Sequence, residues 1–353
     1  MKISVIMPVY NCESYLEAAL QSVLAQSVRD LEIIAVEDCS TDASRDILLR
    51  TAQKDARIRP ICNEKNIGVA VVRNLALEHV TGEFVAFCDA DDIVPDGAYE
   101  KLLGAIGDRD IAIGAFDDAL DRGDGAFERE PRPIDAKTKK SMFLSLFSVC
   151  CLWTKLIRTS FIRENGLRFD EDMQIGEDVV FLAHVATKNP SYAVIDDTVY
   201  WHCRYQGARY CSLTHIYTLD AYRQHIECRR RLLSVCREIP ECRDYVYLRF
   251  SWDAERYLHL LTDENDLEEA FAIFRDYMSG YDFREKPLLF ESMTGVPYEK
   301  FLGMDAVHYF EYQKEVLPRE RVATEFACGM IGFRWIVRYF KGWLKFKFKR
   351  NYQ

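Results

Sequence analysis

The chain has 353 residues, 49% of them hydrophobic, and a formal net charge of −10. That length suits one large domain or two modest ones and supplies a sizeable core, which excludes a disordered chain. The acidic balance argues against a general nucleic-acid binder, so no nucleic-acid partner is expected. The charge is uneven. Residues 329–353 hold seven basic and no acidic side chains, which leaves 39 basic and 56 acidic ones, a net of −17, in the other 328.

In chain order, Ile3 to Val9 is an apolar run closed by a turn at Asn11, the pattern of a buried strand. Ser14 is positioned to cap a helix whose stripe is Leu16, Ala19, Leu20, Val23 and Leu24. LEIIAV at 31–36 reads as the second strand. Ser40, Thr41 and Asp42 offer caps to the helix that follows. Ile58 to Cys62 is a short third strand, Val69 to His79 a third helix, and Glu83 to Cys88 a fourth strand running into Asp89-Ala90-Asp91-Asp92. Pro95 sits where a helix can start, and Ile111 to Ala115 reads as a fifth strand. Residues 117–140 read as an exposed loop or hairpin. A helix near Met142 to Val149, a strand near Cys151 to Thr154, a helix near Val179 to Thr187 and β-like sequence from Tyr192 to Trp201 follow. From about Leu213 the pattern is mostly helical. The regular βαβ alternation predicts an α/β fold with a mostly parallel central sheet and helices on both faces.

The 12 cysteines include no CxxC pair, and several lie in apolar runs, so a reducing, cytoplasmic setting is expected. Lys2 precedes a short apolar run that Asn11, Glu13 and Glu17 soon interrupt, which reads as a strand and not as a signal peptide. No window reaches the roughly 18 apolar residues of a transmembrane helix.

Ligands of parallel sheets sit beyond the carboxyl ends of the strands. There the pattern gathers Tyr10-Asn11, Glu37-Asp38 and the turn at 89–92. Three carboxylates closing an apolar strand are costly without a partner, and a hard divalent cation with oxygen ligands would neutralise them. The plainer account is an acidic turn capping the next helix. Asp38 is placed to accept from a nucleobase or ribose, or else belongs to a capping cluster. Arg73 offers a contact to phosphate or base, against an ordinary solvated arginine. Glu177 and Asp178, after Gly176, provide a general base and a group that positions an acceptor hydroxyl or makes an ion pair within the fold, against an ordinary acidic first turn. His202 reads as a further metal ligand or a structural histidine, and Arg204 or Arg209 as a diphosphate contact. The absence of GxGxxG after the first strand and of a P-loop speaks against dinucleotide oxidoreductases and P-loop ATPases.

Taken together, ISVIMPVYN (3–11), VEDCSTDAS (36–44), NEKNIGVAVVRN (63–74), GEFVAFCDADD (82–92), LRFDEDMQIGEDVVF (167–181) and WHCRYQG (201–207) resemble glycosyltransferase family 2, the inverting nucleotide-sugar transferases of the GT-A fold. The resemblance covers about residues 1–212. It implies that Pro8, Val9 and Tyr10 cradle a nucleobase and that Asp38, beside Glu37, contacts uracil. It matches the family arginine to Arg73 and the DxD motif to Asp89 and Asp91, with Ala90 between them in the donor site. Asp89 would face the ribose and the metal shell, Asp91 would be the main ligand of Mn²⁺ or Mg²⁺, and Asp178 would be the base. His202 and Arg204 match a more variable stretch. At the position after Asp38 the family often has glycine or asparagine; Cys39 there asks for a modest backbone change.

The implied organisation is a GT-A domain over 1–212, a helical region over 213–328 and a basic aromatic tail over 329–353. The implied reaction is inverting transfer of a sugar from a nucleotide diphosphate sugar, UDP-linked by family frequency, to a hydroxyl of a glycan or lipid-linked acceptor in cell-surface polysaccharide synthesis. Two rivals stand beside it. One is a sugar-phosphate nucleotidyltransferase, disfavoured because PVYNCESY lacks a glycine- and lysine-rich loop. The other is a non-catalytic glycan-assembly protein on the same scaffold. The tail, GMIGFRWIVRYFKGWLKFKFKR, resembles an in-plane interfacial helix and predicts peripheral contact with anionic lipid at the inner face of the cell membrane. A homo-oligomer is compatible with all of this.

Overall fold

A computed structural model describes residues 2–121, 126–134, 138–148, 151–205 and 218–239, with parts of 242–309. The basic tail and Arg209 lie outside the described residues. Residues 1–216 with 231–243 form one compact unit, and 217–230 with 244–353 form another.

The first unit is built on β1 (Ile3–Val9), β2 (Leu31–Glu37), β3 (Ile58–Cys62) and β4 (Phe84–Phe87), joined by α1 (Leu16–Leu24), α2 (Ser44–Ala52) and α3 (Val69–Glu78). β1 pairs in parallel with β2 and β4, and β2 with β3. Every residue of β2 and β4 is buried because helices cover both sheet faces. Ile3, Val5, Leu20, Val23, Ile33 and Leu48 make up part of that core. The strands run in parallel, so their carboxyl ends, with residues 10, 38 and 89, share one rim.

Beyond α4 (Ala98–Ile106) come β5 (Ile111–Asp121), β6 (Phe127–Arg132), α5 (Met142–Ser148), β7 (Lys155–Arg158), α6 (Thr159–Glu164), α7 (Glu177–Thr187) and β8 (Tyr192–Arg204). The sheet order is β3-β2-β1-β4-β7-β5-β6, with β8 on β5. β7 is antiparallel to both β4 and β5, while β8 is parallel to β5. The sheet is therefore mostly parallel, with helices around it.

Several local expectations need correction. Ser14 does not cap α1, which has Tyr15 at its N-cap and no side-chain cap. Asp42 does serve α2, its Oδ1 accepting from the Ser44 amide at 2.9 Å. Residues 152–154 are a 3₁₀ turn, and the strand is Lys155–Arg158. A short apolar run carries no signal for which of its residues pair, since only the neighbouring strands supply that. The fifth strand runs on past Ala115 to Asp121 and pairs with β6, so of the two readings of 117–140 the hairpin holds, but Asp117 within it is buried and not exposed. Cys39 takes a left-handed backbone, φ 60°, the region that glycine and asparagine favour; for a residue with a Cβ this costs about 1–2 kcal/mol.

In the second unit, helices at Leu219–Val235, in its first part, and Glu264–Ser279 supply the expected helical character. Its core is aromatic, with Phe271, Phe274, Phe301 and Tyr309 in edge and tilted contacts. Among the described residues no helix is long and apolar enough to cross a membrane.

Candidate active site

The rim is assembled by side chains that lace one strand's loop to the next. After β1, Asn11 takes a left-handed conformation, φ 50°. Its amide donates to Ser40 Oγ at 3.1 Å, and its Oδ1 accepts from the Thr41 amide at 2.8 Å. The Glu13 amide donates to Asp42 at 3.0 Å, and the Ala43 amide donates to Glu13 at 2.9 Å. The buried Glu37 accepts from the Ser40 amide at 2.5 Å, and its other oxygen accepts no hydrogen bond but faces Arg45 Nε at 4.0 Å.

Of the expected nucleobase residues, Pro8 is partly covered, Val9 is in the core, and Tyr10 presents its ring with half of its surface exposed. Asp38 is buried. Its carboxylate accepts from Asn63 Nδ2 at 2.9 Å and from the amides of Ile67 and Gly68 at 3.0 and 2.9 Å. It thus ties the 63–68 loop to β2, a partnership that sequence spacing could not supply.

After β4 the acidic turn is held from below. The Asp89 amide donates to Tyr200 Oη at 3.0 Å, and Tyr200 Oη donates to Asp92 at 2.9 Å. Asp92 also accepts from the Cys203 amide at 2.7 Å. Burial, with the charges of Asp91 and Asp89, pushes Asp92 well above the ordinary carboxylate range. Asp92 is therefore an anchor of the turn. Tyr200 stacks on Trp153 with centroids 4.3 Å apart. Neither aromatic residue stood out in the sequence, because a hydroxyl bonded across 108 positions leaves no local pattern.

Asp91, in contrast, is exposed. Desolvation and the Asp89 charge push it up to about 6. Among the described residues no other residue donates a hydrogen bond to it. Two repelling carboxylates, one of them without a donor from any other described residue, are a donor set that suits a hard divalent cation. No group of three or more His, Cys, Asp or Glu side chains gathers around one point among the described residues. Any ion here would therefore take further oxygens from elsewhere. His202 lies near Asp91, and its Nδ1 pairs with Asp118 at 3.2 Å. Arg204 reaches the same aspartate at 3.3 Å.

The third component is Gly176-Glu177-Asp178. Gly176 caps α7 with φ 79°, a conformation that disfavours any residue with a Cβ. Glu177 and Asp178 therefore open the helix, where the amide dipoles favour negative charge. The loop before it is held by Arg231, bonded to Asp170 and Asp172 at 3.1 and 2.7 Å, and by Asn74, which exchanges two 2.9 Å bonds with the Phe169 backbone. Arg73, buried on α3, donates to the Glu177 carboxylate and, at 3.1 Å, to Asp89. Burial opposes its charge, but Glu177, Asp89 and Asp178 outweigh that and hold it cationic. Asp178 is half-buried beside these groups. Desolvation and the Glu177 charge push it up to about 7 against the pull of Arg73. The solvated arginine and the ordinary acidic turn are thus replaced by one buried bridge between the two acidic segments.

Residues 4–166 match the family model described as glycosyl transferase family 2. TuaG of Bacillus subtilis, provisionally described as a teichuronic acid biosynthesis glycosyltransferase, is 45% identical over 111 residues, 31% of this chain and 44% of that protein. The glycosyltransferase GlyA of Streptococcus pneumoniae is 33% identical over 190 residues, 50% of this chain and 27% of its own length. The chain therefore spans less than half the length of these relatives. Among solved structures, residues 1–349 of S. aureus TarS with UDP superpose with a TM-score of 0.60 at 20% identity, covering 94% of this chain and 93% of that one. The mannosyltransferase PcManGT of Pyrobaculum calidifontis, with GDP-Man and Mn²⁺, gives 0.51 at 15% identity, covering 90% of this chain and 87% of that one. These likenesses establish the GT-A fold.

Proposed function

We propose, from the family 2 glycosyltransferase domain that residues 4–166 constitute, that this protein transfers a sugar from a nucleotide diphosphate sugar to an acceptor hydroxyl with inversion. The observation that carries the reading is Arg73, a single buried guanidinium bonded to both Asp89 and Glu177. It sets the acidic turn and the start of α7 at one distance, as a reaction joining a donor to an acceptor requires.

Asp178 accepts the proton of the acceptor hydroxyl. The freed oxygen forms a bond to the anomeric carbon from the side opposite the diphosphate. The bond from that carbon to the diphosphate oxygen breaks, and the nucleoside diphosphate leaves with its electron pair. Asp91, with Asp89 beside it, would hold Mn²⁺ or Mg²⁺, which supplies Lewis-acid neutralisation of the departing diphosphate. Tyr10 offers an open ring to the nucleobase, and Arg204 a cation to the diphosphate. Glu177, occupied by Arg73, positions the base. UDP is the favoured nucleotide, and a hexose the favoured sugar. The acceptor is a glycan or lipid-linked hydroxyl of a cell-surface polymer, consistent with the teichuronic acid description of TuaG.

A donor-hydrolysis screen with nucleotide sugars and Mn²⁺ tests this reading. Free UDP is the expected product, whereas pyrophosphate formed from a sugar phosphate and UTP would indicate a nucleotidyltransferase. EDTA is expected to abolish turnover and Mn²⁺ to restore it. Asp91→Ala should lose at least about 10²-fold, the scale of several kcal/mol of charge stabilisation. Full activity of Asp91→Ala in EDTA would refute the metal assignment.

The proposal extends to the tail, residues 329–353, as a peripheral anchor at the cytoplasmic membrane face. Its deletion should abolish cosedimentation with anionic liposomes and leave hydrolysis of a soluble donor intact. Unchanged cosedimentation would refute the anchor.

A further inference from the structure

Asp118 was not singled out in the sequence, yet three side chains converge on it. Its Oδ2 accepts from Arg132 Nε at 2.7 Å. Its Oδ1 meets His202 Nδ1 at 3.2 Å and Arg204 Nη2 at 3.3 Å. Asp118 and His202 are register partners on β5 and β8, so both side chains leave the same face of the sheet. His202 stacks on Trp153, centroids 5.8 Å apart and planes at 14°. The neighbouring same-face residue, Tyr200, stacks on the same indole, and its hydroxyl carries the acidic turn. The ring of His202 is therefore fixed in plane by Trp153 and in rotation by Asp118.

We propose that Asp118 is a positioning residue that holds His202 as the Nδ1–H tautomer, leaving Nε2 as the unprotonated nitrogen available to a divalent cation bound at Asp91. This rests on the reading of Asp91 as a cation ligand. The chemistry is general: a histidine that ligates a metal through one nitrogen donates from the other to a carboxylate or carbonyl, which sets its tautomer and raises its basicity. Arg132 and Arg204 keep Asp118 in place. Asp118 already accepts from both guanidiniums, at 2.7 and 3.3 Å; a carboxylate placed as an acceptor between two cations leaves the shared proton on His202 Nδ1.

The test has two arms on the full chain. In the metal-free protein, imidazole ¹⁵N shifts of neutral His202 should report the Nδ1–H tautomer in the wild type and a mixture in Asp118→Asn. An Nε2–H tautomer in the wild type would overturn the proposal without any variant having to fold. In the second arm, Mn²⁺ binding in the presence of UDP is followed by electron paramagnetic resonance. His202→Ala and Asp118→Asn should each weaken it about 10–100-fold, and the double variant should be no weaker than His202→Ala. Wild-type affinity in Asp118→Asn, or additive losses in the double variant, would overturn the positioning role. If Asp91→Ala abolishes Mn²⁺ binding while His202→Ala leaves it intact, this inference fails and the transferase reading survives. If Asp91→Ala also binds normally, both the metal reading and this inference fall.

Discussion

Asp178→Asn is expected to lower kcat about 10²–10⁴-fold, the contribution of a positioned base, with little change in donor KM. The same residue should set the acid limb of the wild-type pH profile. Desolvation and Glu177 push Asp178 up to about 7, so activity should rise as pH passes through 7 and the carboxyl ionises. The measurement belongs at saturating Mn²⁺, because Asp91 is itself held up to about 6 by desolvation and Asp89 in the metal-free protein, and a bound cation would keep it ionised. A flat profile between about pH 5.5 and 8.5 would remove Asp178 from the role of base.

The stability of this variant follows from the same shift. A carboxyl whose folded pKa lies above its unfolded value disfavours the folded state as pH rises from the unfolded value to the folded one. The destabilisation is absent below pH 3.8 and complete above about 7. Asp178→Asn should therefore raise stability on the order of 1–2 kcal/mol at pH 8 and have little effect near pH 4. A variant that is less active and more stable at high pH marks a group kept for chemistry.

Arg73→Met should have the largest effect on the fold. The guanidinium is buried between Glu177 and Asp89. Removing one partner of a buried pair leaves a buried charge and costs about 3–5 kcal/mol. That corresponds to a fall in Tm of about 6–20 °C. Transfer should also be lost, because the acidic turn and α7 are no longer held at one distance. The double variant Arg73→Met, Glu177→Met separates the two effects. An apolar pair in place of the ion pair should restore most of the Tm, while transfer stays low. Wild-type Tm and turnover in Arg73→Met would refute both the bridge and the role given to it.

Much of this architecture was legible in the chain. The continuous apolar runs and the period-3.6 stripes through residue 115 correspond to β1 to β4 and the helices between them, because burial on both faces of a parallel sheet removes the alternation from its strands. The rim followed, since parallel strands put residues 10, 38 and 89 at the same end. What was not legible depends on contacts between distant residues. β7 lies antiparallel between β4 and β5, and of the two readings of 117–140, loop or hairpin, only the pairing of β5 with β6 selects the hairpin. Neither is encoded in the local alternation of those segments.

The side chains divide in the same way. By itself the sequence determined which acidic groups stand at the ends of strands, Asp38 and Asp89 to Asp92, and at the start of a helix, Glu177 and Asp178. These positions follow from short-range periodicity and capping preference. Only the tertiary structure decided what each does. Asp38 is occupied by the 63–68 loop and Asp92 by Tyr200 and Cys203, while Asp91 is exposed and, among the described residues, accepts from no other residue. Arg73 joins segments 104 residues apart, and Asp118 gathers His202 and Arg204 from another strand. The reason is physical: a carboxylate's role is set by its donors, its burial and its neighbouring charges, and all three are supplied by residues far away in the chain.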